Sequence, residues 1–353
     1  MSPTRRLPKP PPLTIGEVTV EAGKRARFDL KVARLPTGTW ASLPIKVIRG
    51  RKDGPTVWLS GAIHGDEING VEIIRRVLPH LDPRRLKGTV IAVPIVNVFG
   101  FIEGSRYLPD GRDLNRSFPG SARGSLASRL AHLFLTEIID HCDLGIDLHT
   151  AAGHRINHPQ IRADLDDPET LRLATAFGAP LMFGAKLRDG SLRQATIERG
   201  KKVLLYEAGQ THRFDQDAVT IGVTGVLRTL EAMGLDEFPD LPPPRESAHL
   251  QQTSWLRARR GGVVNLEIAL GQQVEEGQPL GTIADAFGER PSIVRAPWSG
   301  WIIAFTQHPL VSQGDALVHL GTDRPAQGTA RPARSASSSR ARRGPDLDTR
   351  RNT

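Results

Sequence analysis

His64 and Glu67 stand three positions apart just beyond an apolar run, residues 57–60, with Gly61 before them and Gly65 between them. An imidazole nitrogen and a carboxylate oxygen on one short piece of backbone make half of a zinc site, and the glycines let the chain turn sharply there. A solvated loop carries the same spacing by chance, so the rest of the chain has to decide. Asp147-Leu148-His149 closes another apolar run. Period-two alternation puts Asp147 and His149 on one side of a strand, which makes His149 a candidate third ligand and Asp147 a partner able to orient it. Two histidines and one carboxylate form a catalytic zinc set with a fourth position left for water.

Two further segments carry suitable chemistry. Arg106 and the run Asp113-Leu114-Asn115-Arg116 place two guanidinium groups and an amide in one loop. Such a loop suits an anionic substrate or a carbonyl whose oxygen gains charge, although ion pairs with Asp110 or Asp113 are the structural alternative. Glu207 follows the apolar run 202–206 and precedes Ala208-Gly209. A carboxylate there either pairs structurally or moves a proton between water and a leaving nitrogen.

Those residues need a frame. Residues 14–240 alternate short apolar runs (56–60, 89–93, 144–148 and 202–206) with helical periodicities (70–81, 125–141, 167–177 and 218–233). This order predicts an α/β fold, a mostly parallel mixed sheet flanked by helices, with ligands gathered beyond the strand ends. Pro239 and Pro242 to Pro244 read as a linker. Residues 241–321 then read as a small all-β barrel or sandwich, broken by repeated glycines. Its shape resembles a biotinyl/lipoyl-type module, but Lys202 is the last lysine of the chain, which excludes covalent biotin or lipoate. Residues 1–13 and the Arg/Ser/Pro-rich residues 322–353 read as disordered.

Composition narrows the class. Of the net charge of +9, the segment from Thr322 onward supplies +5 and Arg5, Arg6 and Lys9 supply +3. The body therefore lacks the basic face that nucleic-acid binding needs. No apolar stretch is long enough to span a membrane, and the N-terminal residues lack the apolar core of a signal peptide. A cytoplasmic protein is expected, and a homo-oligomer is compatible with the sequence. The single cysteine, Cys142, excludes a disulfide framework and suits core packing.

The segments His64-Gly65-Asp66-Glu67, Asp113-Leu114-Asn115-Arg116, Asp147-Leu148-His149 and Tyr206-Glu207-Ala208-Gly209, in this order, resemble the succinylglutamate desuccinylase/aspartoacylase family of the zinc carboxypeptidase-like superfamily. The resemblance covers residues 15–233 and departs from the compact family form by two residues inserted between Arg106-Tyr107 and Asp113. It implies one Zn2+ per chain held by His64, Glu67 and His149, with Glu207 as general base and acid. It also implies that Arg106 polarises the scissile carbonyl and that Asn115 and Arg116 hold a substrate carboxylate. The expected activity is hydrolysis of the amide of a small N-acyl amino acid. A zinc carboxypeptidase acting on peptides and a non-catalytic binding protein are the alternatives. His154, His158 and His212 lie nearby and are expected to line the cleft or the surface.

Overall fold

The computed structural model describes residues 11–324; of the segments expected to be disordered, 1–13 and 322–353, residues 1–10 and 325–353 lie outside the described residues, whereas Leu13 begins a strand and Thr322 ends one. Strands β1 (Leu13–Ile15) and β2 (Val18–Val20) form a separate hairpin. The α/β region then runs β3 (Arg25–Arg34), β4 (Trp40–Arg49), β5 (Lys52–Gly61), α1 (Asn69–Val77), β6 (Lys87–Val93), α2 (Val98–Glu103), α3 (Leu126–Glu137), β7 (Leu144–Ala151), β8 (Arg155–Ala163), α4 (Pro168–Phe177), β9 (Leu181–Gly184), α5 (Leu192–Glu198), β10 (Lys202–Gln210) and α6 (Gln216–Ala232). The remainder is all-β: β11 (Ala248–Leu250), β12 (Gln252–Arg257), β13 (Gly262–Leu266), β14 (Gln273–Val274), β15 (Pro279–Ala284), β16 (Ser292–Arg295), β17 (Gly300–Thr306), β18 (Leu310–Val311) and β19 (Ala316–Thr322).

Four parallel strands in the order β10-β7-β5-β6 form the centre of the main sheet. Antiparallel strands extend it on both sides, β4 and β3 beyond β6, and β8 beyond β10. Alternation along β5 fixes the layers. Val57 and Leu59 face a core shared with Ile73, Ile74 and Val77 of α1 and with apolar residues of α4 and α6. Trp58 points the other way, into a core with Leu130, Phe134 and Leu135 of α3. Each such buried side chain contributes roughly 1.5–3 kcal/mol, so two-sided burial holds the strands that bear the site. Cys142 is fully buried in the second core.

Helix α1 ends at Val77 rather than running to residue 81, and Leu78–His80 form a 3-10 turn. Pro79 has no N–H for the next helical bond, and its ring would strike the preceding turn. Beyond β8 the sheet continues through the C-terminal region, because β17 pairs antiparallel with β8, β19 with β17, and β12 with β19. Strands β13, β15, β16 and β18 form a second antiparallel sheet, and a third apolar core lies among these C-terminal strands. Among the described residues, no helix is long and apolar enough to cross a membrane.

Candidate active site

The carboxyl ends of β5, β7 and β10 bring the expected ligands together. His64 and Glu67 lie in the loop between β5 and α1, while His149 lies on β7. Gly65 has no room for a side chain, because a Cβ there would stand 1.9 Å from the backbone of Gly100 in α2. This close approach seats the loop against its neighbour. The Nδ1 atoms of His64 and His149 converge on the two oxygens of Glu67, at 2.7 and 2.9 Å. One ligand atom from each residue can be chosen so that all lie within 4.8 Å of one another.

The far side of each imidazole is also fixed. Nε2 of His149 lies 2.8 Å from Asp147, whose other oxygen accepts the Ser60 hydroxyl at 2.8 Å. Nε2 of His64 lies 3.2 Å from Asp113. A carboxylate on Nε2 keeps the proton there and leaves Nδ1 free to bind a cation, the arrangement by which metal-binding histidines are oriented. Burial works against charge on Glu67, but the two imidazoles prevail and hold its carboxyl well below the usual carboxylate range. Burial likewise opposes an imidazolium at His149, yet Asp147 and Glu67 raise it well above the ordinary value. This donor set fits a divalent cation: two imidazole nitrogens and a carboxylate facing one point, with anionic partners behind them.

Arg106 reaches the same cluster. It donates to Glu67 at 3.3 Å and grips Asp113 through Nε and Nη2 at 3.1 and 2.9 Å. Asn115 is buried, and its side-chain oxygen accepts the Leu192 amide at the start of α5 at 2.8 Å, which leaves its NH2 as the available donor. Arg116 donates to the Asn115 carbonyl. Burial lowers its pKa, Asp113 counters, and Arg188 and Arg106 lower it further.

Glu207 sits on β10 in register with His149 on β7. Asn157 donates to one of its oxygens at 2.5 Å, and Arg162 pairs with the other at 3.2 Å. All seven expected site residues, His64, Glu67, Arg106, Asn115, Arg116, His149 and Glu207, line one cavity of about 660 Å³. None of the three ambiguous histidines lines it. His154 is exposed with its ring 4.8 Å from that of His308, His158 packs against Gly271, and His212 has a left-handed backbone with its amide bonded to the Asp66 carbonyl.

A model of the succinylglutamate desuccinylase/aspartoacylase catalytic domain matches residues 53–233. A relative from Halomonas elongata, N-alpha-acetyl-L-2,4-diaminobutyric acid deacetylase, is 31% identical over 291 residues, 78% of this chain and 84% of the relative. The chain belongs to the succinylglutamate desuccinylase/aspartoacylase family. Among solved structures, a family member from Rhodobacter sphaeroides has a TM-score of 0.77 at 28% identity, covering 87% of this chain and 98% of its own. The ectoine utilization protein EutE (DoeB) of Ruegeria pomeroyi, solved with product bound, shares the fold with a TM-score of 0.76 at 24% identity, covering 84% of this chain and 95% of its own.

Several residues that line the cavity carry no local signal in the sequence. Thr150 donates its amide to Glu67 at 3.0 Å, and Arg155, Asn157 and Arg162 project from β8. Trp255 and His319 come from β12 and β19, beyond the part matched by the family model. His319 stacks on Trp255, ring centroids 4.8 Å apart and planes within 7°. Burial, and secondarily Arg162, push the His319 imidazole down to about 3 from 6.5. Below about pH 6.5 the unfolded chain takes up a proton that the folded chain refuses. Stability therefore falls as the pH drops toward 3, by up to about 1.4 kcal/mol per pH unit from this residue. Urea unfolding between pH 5 and 7.5 should show a shallower acid loss for His319→Gln than for the native chain, and equal slopes would refute this account.

Proposed function

We propose that the chain is a zinc-dependent amidohydrolase that frees the amine of a small N-acyl amino acid. The observation that carries this reading is the convergence of both histidine Nδ1 atoms on Glu67, with Glu207 in register beside His149. His64, Glu67 and His149 would hold the zinc, which when bound activates water and draws charge from the scissile carbonyl. Glu207 takes the water's proton and passes it to the departing nitrogen; Asn157 and Arg162 hold its carboxylate in place. Arg106, fixed between Glu67 and Asp113, offers its guanidinium to the oxygen that gains negative charge. The NH2 of Asn115 and the guanidinium of Arg116 receive the α-carboxylate.

The family membership and the deacetylase relative support amide hydrolysis of small substrates. The cavity volume and the wall that Trp255 and His319 add to it favour acyl amino acids over peptides. The test is amine release from a panel of N-acetyl, N-succinyl and N-formyl amino acids by zinc-loaded and chelated protein. Release that disappears on chelation and returns with zinc is expected. Cleavage of peptides alone would favour a carboxypeptidase instead.

A further inference from the structure

We propose that a second cavity, separated from the active site by residues 185–187 and Arg193, binds a free amino acid with an aliphatic side chain, and that this occupant weakens substrate binding through Lys186. Binding at this place is independent of the deacylase reading. Only its effect on turnover rests on that reading.

The second cavity has a volume of about 470 Å³ and is bounded by the loop after β8, the end of β9, α5 and β11. That is the scale of a small-molecule site. None of the seven expected site residues lines it, and it shares only Ala185, Lys186, Leu187 and Arg193 with the catalytic cavity. Charge defines the ligand. Asp164 and Asp166 come from the loop after β8 and Lys186 from the segment after β9, yet among the described residues none of the three takes part in an ion pair. Opposite charges that line one cavity without meeting leave a gap that fits an ammonium at one end and a carboxylate at the other. A plain anion or cation would face a like charge. A metal ion is a poorer occupant, because among the described residues His64, Glu67 and His149 are the one group of three whose ligand atoms converge.

Arg193 stands between the two cavities and is 7% exposed. Its Nη2 donates to the carbonyls of Ala185 and Lys186 at 2.8 and 2.9 Å, whereas Nε and Nη1 have no partner among the described residues. A buried guanidinium with donors to spare suits a carboxylate. Leu165, Leu187, Ile197 and Leu250 supply apolar lining, and Leu187 is 43% exposed, so an aliphatic chain laid against it removes apolar surface from water. Gly184, the last residue of β9, opens on free space: a Cβ there would meet no described atom within 4 Å. Lys186 supplies the coupling because it lines both cavities. An ammonium drawn to the ligand's carboxylate is withdrawn from the catalytic cavity, where the substrate's own carboxylate then binds less tightly.

Calorimetric titration of the full chain with leucine, 4-methylpentanoate and 3-methylbutylamine tests the site, since the last two each lack one of leucine's charges. Leucine should bind at least about tenfold more tightly than either, the scale of one charge-assisted contact. Its binding should survive Arg116→Gln, which disables carboxylate capture in the catalytic cavity. It should weaken about tenfold or more when Asp164→Asn and Asp166→Asn are combined, and also in Gly184→Leu, which fills the cavity, both with native melting curves. Absence of leucine binding, equal binding of all three compounds, or loss in Arg116→Gln with retention in the other variants would overturn the site. Kinetics then test the coupling. With an N-acyl amino acid as substrate, leucine should raise the apparent KM to a plateau about fivefold higher at unchanged kcat, and the Asp164/Asp166 double variant should lack this effect. A rise without plateau that the double variant retains marks simple competition at the active site and refutes the coupling. Should no amide be cleaved, the deacylase reading fails while the titration still decides the site.

Discussion

Glu207→Gln should lower kcat by about a thousandfold, within the range for loss of a positioned proton carrier, while zinc content stays unchanged. The substitution isolates the charge. A glutamine oxygen can still accept from one of the two donors, Asn157, which donates to one Glu207 oxygen at 2.5 Å, or Arg162 on the other oxygen, while the glutamine NH2 faces the second. Size and shape are preserved, one of the two contacts is given up, and the basicity is lost. Metal content stays separate because Glu207 belongs to β10 and makes no bond to His64, Glu67 or His149. Steady-state kinetics with metal analysis of the same preparation decide the matter. A variant retaining a tenth or more of native turnover would remove Glu207 from the proposed role.

The ligands were legible because each stands in a local pattern with few alternatives. An apolar strand ending in His-Gly-Asp-Glu has its next residues at the sheet's carboxyl end, and Asp-Leu-His on a buried strand must send Asp147 and His149 to the same face. Glu207 followed from a parallel neighbour whose register no single segment contains, but whose strand end was recognisable. Strand β8 was hidden. Its sequence, Arg155 to Ala163, mixes His, Asn, Gln and Arg with Pro159, and a proline argues against a strand inside a sheet. The actual strand is paired on both sides, with β10 and β17, and its register shifts along β10. Because β8 lacks a strand pattern, the pairing with β17 through which the C-terminal strands join the main sheet is not legible either. Trp255 and His319 reach the cavity by that route, across a separation in sequence that periodicity does not register. Asp113 is legible only in part: its ion pair with Arg106 is foreseeable, but its contact with His64 depends on how a long loop folds back.

Asp147→Asn should weaken zinc binding by about 10–100-fold, the usual cost of removing the group that orients a metal-binding histidine. Asp147 is 1% exposed and lies between the Ser60 hydroxyl and Nε2 of His149. Its negative charge favours a proton on Nε2, and that tautomer leaves the Nδ1 lone pair directed toward Glu67. An asparagine can keep one hydrogen bond by turning its oxygen to the ring, but it cannot supply the charge. If it turns the other way, its NH2 meets Nε2 and places the ring proton on Nδ1, where it competes directly with metal. Both outcomes lower affinity, and neither touches Glu207 or Arg106. Competition with a chelator of known strength should thus show a weaker zinc complex, with turnover recovering when zinc is raised to saturation. Native affinity in Asp147→Asn would mean that packing around β7 alone orients His149, and the buried chain from Ser60 through Asp147 would then have no part in the site's chemistry.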